Sequence, residues 1–181
     1  MNDLHEMAAA ARAAAWSLAA SSVEKRNEAL RAMAECLEAD RERIFAANAA
    51  DVAQAEADRL AAPLLQRLRF GEEKLSQVIA GLRSLITLPD PLGATTLARE
   101  LTDGLKLYRV TCPIGVIGVV FESRPDALVQ IASLALKSGN AVLLKGGREA
   151  LNTNRALCEA LRRAAGSVRL PADFAQLLTT R

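Results

Sequence analysis

Two short apolar runs, separated by a stretch of helix length, constrain the fold of this chain more than any other feature. Residues 114–121 and 141–145 are almost entirely apolar and show no alternation with polar residues, which is typical of parallel strands buried on both faces. Pro125 and Gly139 bracket the stretch between them, as expected for the first turn and the end of a helix. We therefore predict adjacent parallel strands joined by a helix over about residues 125–138.

The first half of the chain has the pattern of packed helices. Residues 7–20 are rich in alanine, Ser21-Ser22-Val23-Glu24 has the spacing of a capping box, and a third helix is predicted over about 40–58. A fourth is predicted after Gly71. Its apolar stripe comprises Leu75, Val78, Ile79, Leu82 and Ile86. Because the apolar spacing is not a sustained heptad, packed helices are favoured over a coiled coil.

Two further β-elements are predicted. Residues 97–101 and 105–111 flank Asp103-Gly104, a strong hairpin-turn pair, and we expect this hairpin to project from the core. A helix over 149–165 and a third strand over 174–178 follow the second apolar run. The predicted fold class is α/β: N-terminal helices, a β-hairpin arm and a partial parallel Rossmann-like sheet.

Charge and cysteine content narrow the function classes. Residues 1–58 carry 6 basic and 11 acidic side chains, whereas residues 59–181 carry 17 basic and 10 acidic. The basic second part suits an anionic ligand, although ordinary surface charge would give the same excess. No basic tract is interleaved with aromatic residues, which argues against nucleic-acid binding.

The compartment is predicted from similarly simple features. The three cysteines are widely spaced, which favours a reducing cytoplasm and argues against a disulfide framework or a zinc site. There is no apolar run of transmembrane length, so no membrane association is expected, and the first residues lack the pattern of a secretory signal.

Two turns carry the residue types that could bind a ligand. Lys145-Gly146-Gly147 ends the second apolar strand before a helix, where backbone amides and a lysine could hold a phosphate. Glycine is also common in such turns for conformational reasons alone. Glu122-Ser123-Arg124 follows the first apolar strand, at the edge where open α/β sheets bind ligands. Ser123 or Glu122 could instead cap the next helix, but the charge of Arg124 gains nothing at a helix start.

None of the three cysteines is predicted to be a nucleophile. Cys36 and Cys158 have apolar neighbours within helices, and Cys112 precedes the first apolar strand. That strand would place Cys112 about 25 Å from the ligand-binding edge. The single histidine, His5, lies near the N-terminus, so no Cys–His pair is suggested.

The combination of motifs resembles one enzyme family. The segment 113–125, with sequence PIGVIGVVFESRP, resembles the cofactor strand of aldehyde dehydrogenases, and its ESRP ending resembles their γ-glutamyl phosphate reductase branch. The segments 137–147 (KSGNAVLLKGG) and 88–93 (LPDPLG) continue the match, as do Asn154-Arg155-Ala156-Leu157, Arg67-Leu68, and Ala47-Asn48 followed by Asp51. The resemblance covers essentially the whole chain and implies an aldehyde dehydrogenase-like fold.

The resemblance implies the chemistry of proline biosynthesis. NADPH would reduce L-glutamyl 5-phosphate to L-glutamate 5-semialdehyde with release of phosphate, through a thioester on a cysteine that lies outside this chain. The cofactor-binding residues it implies are Val119, Phe121, Glu122, Lys145, Gly146 and Gly147. Ser123 would be an oxyanion donor and Arg124 would bind the substrate. The branch often has arginine where this chain has Lys145, and Glu149 is offset by one residue from the glutamate of general aldehyde dehydrogenases.

The resemblance also implies an organisation. Residues 1–92 would be the helical part of the cofactor-binding domain, 93–112 an oligomerisation arm, and 113–181 an incomplete Rossmann-like NADPH-binding core. It implies a homo-oligomer and a contact with glutamate 5-kinase. Because the nucleophilic cysteine is absent, we predict that the 181-residue chain is inactive by itself. The alternative is a catalytically inactive cofactor-binding or assembly module.

Overall fold

The computed structural model describes residues 2–179. The helices are α1 (Asn2–Ala19), α2 (Val23–Ala39), α3 (Arg41–Ala57), α4 (Ala62–Leu68), α5 (Glu72–Thr87), α6 (Pro125–Lys137) and α7 (Leu151–Ser167). The strands are β1 (Thr95–Thr102), β2 (Leu105–Val110), β3 (Val116–Val120), β4 (Ala141–Lys145) and β5 (Ala175–Leu177), and single 3₁₀ turns occur at Arg148–Ala150 and Ala172–Phe174.

The central sheet is parallel, with β4 between β3 and β5. Val116 lies opposite Ala141 and Val120 lies opposite Lys145, so β3 and β4 end side by side at the carboxyl edge. Helix α6 connects them, and Gly139 closes it with φ +69°. The predicted βαβ unit is confirmed, and its register brings together the two turns that the sequence singles out.

The prediction that residues 114–121 form a strand buried on both faces was wrong. Within the described residues β3 is an edge strand that pairs only with β4. Val120 is 83% exposed and Ile114, which precedes the strand, is 82% exposed, whereas Val119 packs on the core. Apolar composition permits burial on both faces, but the elements that pack beside a strand decide whether burial occurs.

The predicted helices are confirmed, with three corrections. Ser22 rather than Ser21 caps α2, because its Oγ accepts from the Lys25 amide at 3.3 Å while the Ser21 hydroxyl donates to the Leu18 carbonyl. Helix α4 was not predicted: it is only seven residues long and has a proline in its first turn. Helix α7 begins at Leu151, because a 3₁₀ turn precedes it.

One hydrophobic core joins the helices to the parallel sheet. Helices α6 and α7 pack against each other and against α2, and α1 contacts all three strands. In the stripe of α5, Ile86 is partly buried against the core and Leu85 is buried as well, whereas Leu134 of α6 is 57% exposed. The largest buried apolar residues of this core include Leu18, Leu30, Met33, Leu37, Ile44, Phe70, Leu128, Leu157 and Phe174.

Buried cations fix the segment that leads from the helices into the hairpin. Arg26 is 1% exposed and donates to both carboxylate oxygens of Asp90, at 2.8 and 2.7 Å. The Lys137 ammonium donates to the Leu88 carbonyl at 2.9 Å and to the Asn27 amide oxygen at 2.8 Å. Beyond this anchor every residue of β1 and β2 is exposed, so the predicted projecting hairpin is confirmed.

Candidate functional site

The turns after β3 and β4 lie against each other at the carboxyl edge of the sheet. The Phe121 amide donates to the Lys145 carbonyl at 3.0 Å, which continues the strand pairing into the turns. Consecutive residues of the first turn then differ in exposure: Glu122 and Arg124 are exposed, whereas Ser123 is 3% exposed. The first turn therefore has a buried side that faces the second turn and a solvent side that carries charge.

Close packing of these two turns requires Gly146 and Gly147. A Cβ at Gly146 would lie 2.5 Å from Asn154 Nδ2 and 3.0 Å from the Phe121 ring, and one at Gly147 would lie 2.5 Å from Ser123 Oγ. Because the protein's own side chains occupy that space, both glycines have a structural reason that is independent of any ligand. The sequence-based explanation, close approach of a ligand to the backbone, is not needed to account for them.

Ser123 is held by Glu149. Its hydroxyl donates a short hydrogen bond to Glu149 Oε1, and Glu149 itself is half-buried. Because a serine hydroxyl has one proton, it cannot donate to an oxyanion while this bond is made. The oxyanion role of Ser123 stays a prediction, and it requires that Glu149 release the hydroxyl.

The first amides of α7 are already capped, contrary to the expectation that this helix start would be open to a phosphate. Asp51, only 4% exposed, reaches across from α3. It accepts from the Asn152 amide at 3.2 Å and the Thr153 amide at 2.8 Å, and from both of their side chains. Helix α7 is thereby fixed to α3 by a carboxylate at its positive end.

Asn48, one turn before Asp51, extends this buried polar network. Its Oδ1 accepts from the Phe70 amide at 2.7 Å, and its Nδ2 donates to the Leu68 carbonyl at 2.9 Å. These bonds fix the connection between α4 and α5. The pair Asn48 and Asp51 therefore positions the α4–α5 connection and the start of α7 relative to the sheet.

The residues predicted to bind a cofactor lie along the end of β3 and the turn after β4. Val119 and Phe121 are half-buried and pack on the core, and Glu122 is exposed. Lys145 is half-buried at the last position of β4. A neighbouring cleft of about 560 Å³ is lined by residues of α3 and of the turn after β4, namely Asp51, Gln54, Ala55, Asp58, Arg148, Glu149, Leu151 and Asn152.

A second cleft, of about 550 Å³, opens on the solvent side of the first turn and is rich in cations. Arg67, Lys74 and Arg124 line it together with Glu122 and Gln66. Arg67 comes from the last turn of α4, Lys74 from the first turn of α5, and Arg124 from the residue that precedes α6. Segments far apart in sequence thus bring two further cations, Arg67 and Lys74, beside the predicted substrate residue Arg124.

Two ion pairs and one backbone contact hold the cationic cleft. Arg67 Nη1 donates to Glu122 Oε2 at 2.8 Å, and Arg124 Nη2 donates to Asp126 Oδ2 at 3.0 Å. The Lys74 ammonium donates to the Arg67 carbonyl at 2.8 Å. Partial burial lowers the pKa of Lys74; the negative charge of Asp126 opposes this shift and the positive charge of Arg124 adds to it.

The cysteines are poorly suited to nucleophilic chemistry. Cys158 is buried, and desolvation raises the pKa of its thiol to about 11. Cys36 is half-buried on α2 and packs against the core. Cys112 is exposed but precedes β3 at its amino end, whereas the two turns lie at the carboxyl end of the strands. The thiolate that thioester chemistry needs is disfavoured by burial in Cys158.

A comparison with models of protein families identifies the family of this chain. The model of the aldehyde dehydrogenase family matches residues 1–181. The chain belongs to the aldehyde dehydrogenase family. In α/β proteins ligands bind beyond the carboxyl ends of the parallel strands, and in this family member that edge is formed by the turns after β3 and β4.

Curated relatives confirm the resemblance to the γ-glutamyl phosphate reductase branch. The γ-glutamyl phosphate reductase of Pelotomaculum thermopropionicum is 52% identical over 179 residues, which are 99% of this chain and 41% of that protein. γ-Glutamyl phosphate reductase 1 of Synechocystis sp. is 49% identical over 181 residues, or 100% and 42%. The chain therefore spans about two-fifths of the length of the curated relatives it matches.

Solved structures confirm the α/β fold. The γ-glutamyl phosphate reductase of Thermotoga maritima superposes with a TM-score of 0.93 at 35% identity, over 97% of this chain and 42% of that one. The Saccharomyces cerevisiae enzyme superposes with a TM-score of 0.91 at 39% identity, over 97% and 46%. Residues 2–179 contain no helix long and apolar enough to cross a membrane. Among the side chains of residues 4–179 no cluster of acidic, histidine and cysteine residues is suited to bind a metal ion.

Three features of the site were missed in the sequence. Arg67 and Lys74 were not predicted to join Arg124, although a lysine in the first turn of a helix is an unfavourable charge and could have been noticed. No role was assigned to Glu149, which binds Ser123. Asn48 and Asp51 had been noted only as part of the family match, although two polar residues at helical spacing on a buried face signal a polar network.

Proposed function

We propose that these residues form the cofactor region and part of the substrate region of a reductase that converts L-glutamyl 5-phosphate to L-glutamate 5-semialdehyde and phosphate. The observation that carries this proposal is the side-by-side position of two turns at the carboxyl edge of β3 and β4, with a cationic cleft beside them. The relatives named γ-glutamyl phosphate reductase support the choice of reaction. The substrate carries an anionic group at each end, the phosphate and the α-carboxylate, which suits a cationic cleft.

The polar side chains around the turn after β4 suit a nicotinamide dinucleotide. Glu149 could accept from ribose hydroxyls if it released Ser123, and Lys145 carries a positive charge for a phosphate. Arg148 is exposed in the same cleft and supports NADPH over NADH, because an arginine suits the additional 2′-phosphate. When bound, NADPH supplies the hydride that reduces the acyl carbon.

The chain's own residues would prepare this reaction by holding the reactants. The acyl carbon exchanges its bond to phosphate oxygen for a bond to hydrogen, and phosphate leaves. Val119, Phe121 and Glu122 would line the cofactor, and Arg124 would hold an anionic group of the substrate. The thiol nucleophile is not assigned to Cys36, Cys112 or Cys158, because of their burial or their position.

The domain organisation that the family resemblance implies is part of the same proposal. Residues 1–92 and 113–181 would form the cofactor-binding domain, and residues 93–112 would be an oligomerisation arm in a cytoplasmic homo-oligomer. The exposed apolar side chains of the hairpin support the arm, because a subunit contact would bury them. They are Leu97, Leu101, Leu105, Leu107, Tyr108 and Val110. The contact with glutamate 5-kinase stays a prediction.

The reverse reaction tests the proposed activity. The full-length product of the gene that encodes this chain is mixed with L-glutamate 5-semialdehyde and NADP⁺, and NADPH formation is followed with and without inorganic phosphate. We expect turnover that requires phosphate, because the product is an acyl phosphate. Turnover at the same rate without phosphate would indicate simple aldehyde oxidation to an acid, and no turnover in either case would reject the proposal.

Lys145 tests the cofactor assignment in the same assay. In the full-length product, Lys145→Ala should raise the KM for NADP⁺ about tenfold or more and leave the KM for the aldehyde nearly unchanged. The reason is the loss of a charge-assisted hydrogen bond, worth roughly 1.5–3 kcal/mol. An unchanged KM for NADP⁺ would leave the Lys145-Gly146-Gly147 turn with a structural role only.

A further inference from the structure

The cationic cleft carries one more positive charge than its ion pairs neutralise. Arg67 is paired with Glu122 and Arg124 with Asp126. Among the side chains of residues 4–179 no carboxylate lies within 4.0 Å of the Lys74 ammonium, whose hydrogen-bond acceptor is the Arg67 carbonyl. A cleft with an excess positive charge on partly buried groups attracts an anion more strongly than an exposed lysine does.

The charges of Lys74 and Arg124 are unfavourable to the helices that they begin, although the Lys74 ammonium also donates to the last turn of α4 and Arg124 pairs with Asp126. Lys74 is the third residue of α5, and Arg124 immediately precedes α6. A positive charge at a helix start is unfavourable because the first amides already carry partial positive charge. Because both placements border one cleft, they favour an anion in that cleft in addition to Glu122 and Asp126.

The cleft and the cofactor turn lie on different sides of the turn after β3. Ser123 is directed to Glu149 and to the Gly147 backbone, whereas Arg124 lines the cleft with residues of α4 and α5. A substrate whose reacting carbon lies near the cofactor turn would extend its other end past Arg124 into the cleft. In L-glutamyl 5-phosphate that other end is the α-amino acid group, because the phosphate is attached to the reacting carbon.

We propose that Lys74, together with Arg67 and Arg124, binds the α-carboxylate of the substrate, and that Lys74 determines specificity for aldehydes and acyl phosphates that carry such a carboxylate. This inference rests on the proposed function. Glu122 lies in the same cleft and would accept from the α-ammonium group instead of lining the cofactor. The cleft thus has both signs of charge that an amino acid group needs, with the positive sign in excess.

The reverse reaction separates the two anions, since the carboxylate enters on the aldehyde and phosphate enters separately. In the full-length gene product, Lys74→Met should raise the KM for L-glutamate 5-semialdehyde about tenfold or more, as expected for one lost charge-assisted hydrogen bond. The KM for phosphate and for NADP⁺ should stay within about twofold. Lys74→Arg, which keeps the charge, should restore most of the aldehyde affinity.

Lys25→Met is the matched control, because Lys25 is also the third residue of its helix but lies on α2 and does not line the cleft. It should leave all three KM values unchanged. Pentanal, which lacks the carboxylate, gives a second measurement. Its kcat/KM should be equal in wild type and Lys74→Met, whereas a structural defect would lower it in the variant. Should Lys74→Met fail to fold, Lys74→Gln carries the same predictions.

Two outcomes would overturn the inference. An aldehyde KM that stays within twofold in Lys74→Met shows that Lys74 does not bind the substrate. A rise in the KM for phosphate in place of the aldehyde shows that the cleft is a phosphate site. If wild-type protein shows no phosphate-dependent turnover, the proposed function itself fails, so the two failures are distinguishable.

Discussion

At the residue scale, Gly147 shows how the protein holds the two turns of the site together. Its φ of −61° is accessible to any residue, so backbone conformation does not require glycine there. The requirement comes from contact, since a Cβ would lie 2.5 Å from Ser123 Oγ and 2.8 Å from Glu149 Oε1. The absence of a side chain at this position is therefore what allows the Ser123–Glu149 hydrogen bond to form against the turn.

Gly147→Ala should lower the free energy of unfolding by about 1–3 kcal/mol, because the added methyl group must displace Ser123 and Glu149. Gly81→Ala is the control, since a Cβ at Gly81 within α5 meets nothing within 4 Å. There the change should stabilise the helix by up to about 1 kcal/mol. Urea unfolding of both variants measures the difference, and equal stability of Gly147→Ala and wild type would contradict this account.

At the element scale, the sequence predicts regular structure well where the local pattern is strong. The βαβ unit and the hairpin follow from apolar runs that end in turns at Gly104 and Gly139, where φ is positive and glycine adopts it without strain. Helix α4 was not predicted because seven residues are too few to show the helical period of apolar residues. The exposure of Val120 could not be predicted, because burial depends on which elements pack beside a strand.

Substitution of Asp51 tests whether its hydrogen bonds join α3 to α7. Asp51→Ala should lower the free energy of unfolding by roughly 2–4 kcal/mol, because it leaves the buried Thr153 amide and the part-buried Asn152 amide without their acceptor. Asp58→Ala, at the exposed end of the same helix, should change stability by less than about 0.5 kcal/mol. Equal effects of the two substitutions in thermal or urea unfolding would show that the Asp51 network does not fix α7.

At the scale of the whole molecule, the candidate site is assembled from segments that the sequence keeps apart. The turns around Ser123 and Gly146 could be predicted because each is a local pattern at the end of a strand. Arg67 and Lys74 could not, because they reach Arg124 only through the packing of α4 and α5, which Asn48 holds from α3. Sequence patterns thus predict the cofactor side of the site better than the substrate side.

The environments of the cysteines predict that the 181-residue chain is inactive by itself. The 181-residue chain by itself should show no phosphate-dependent reduction of NADP⁺, since burial keeps the Cys158 thiol protonated and Cys112 lies at the opposite end of β3. In the full-length product, Cys112→Ser should retain wild-type kcat. A kcat reduced a hundredfold or more by Cys112→Ser, with unchanged thermal stability, would show that Cys112 is the nucleophile after all.

The central claim is that the carboxyl edge of β3 and β4 holds the nicotinamide cofactor. Hydrogen–deuterium exchange of the full-length product, with and without NADPH, locates the cofactor directly. We predict slower exchange over residues 119–124 and 145–150 when NADPH is bound, and unchanged exchange over the exposed hairpin at residues 95–110. NADPH binding that leaves exchange over residues 145–150 unchanged, with protection only elsewhere, would contradict the claim.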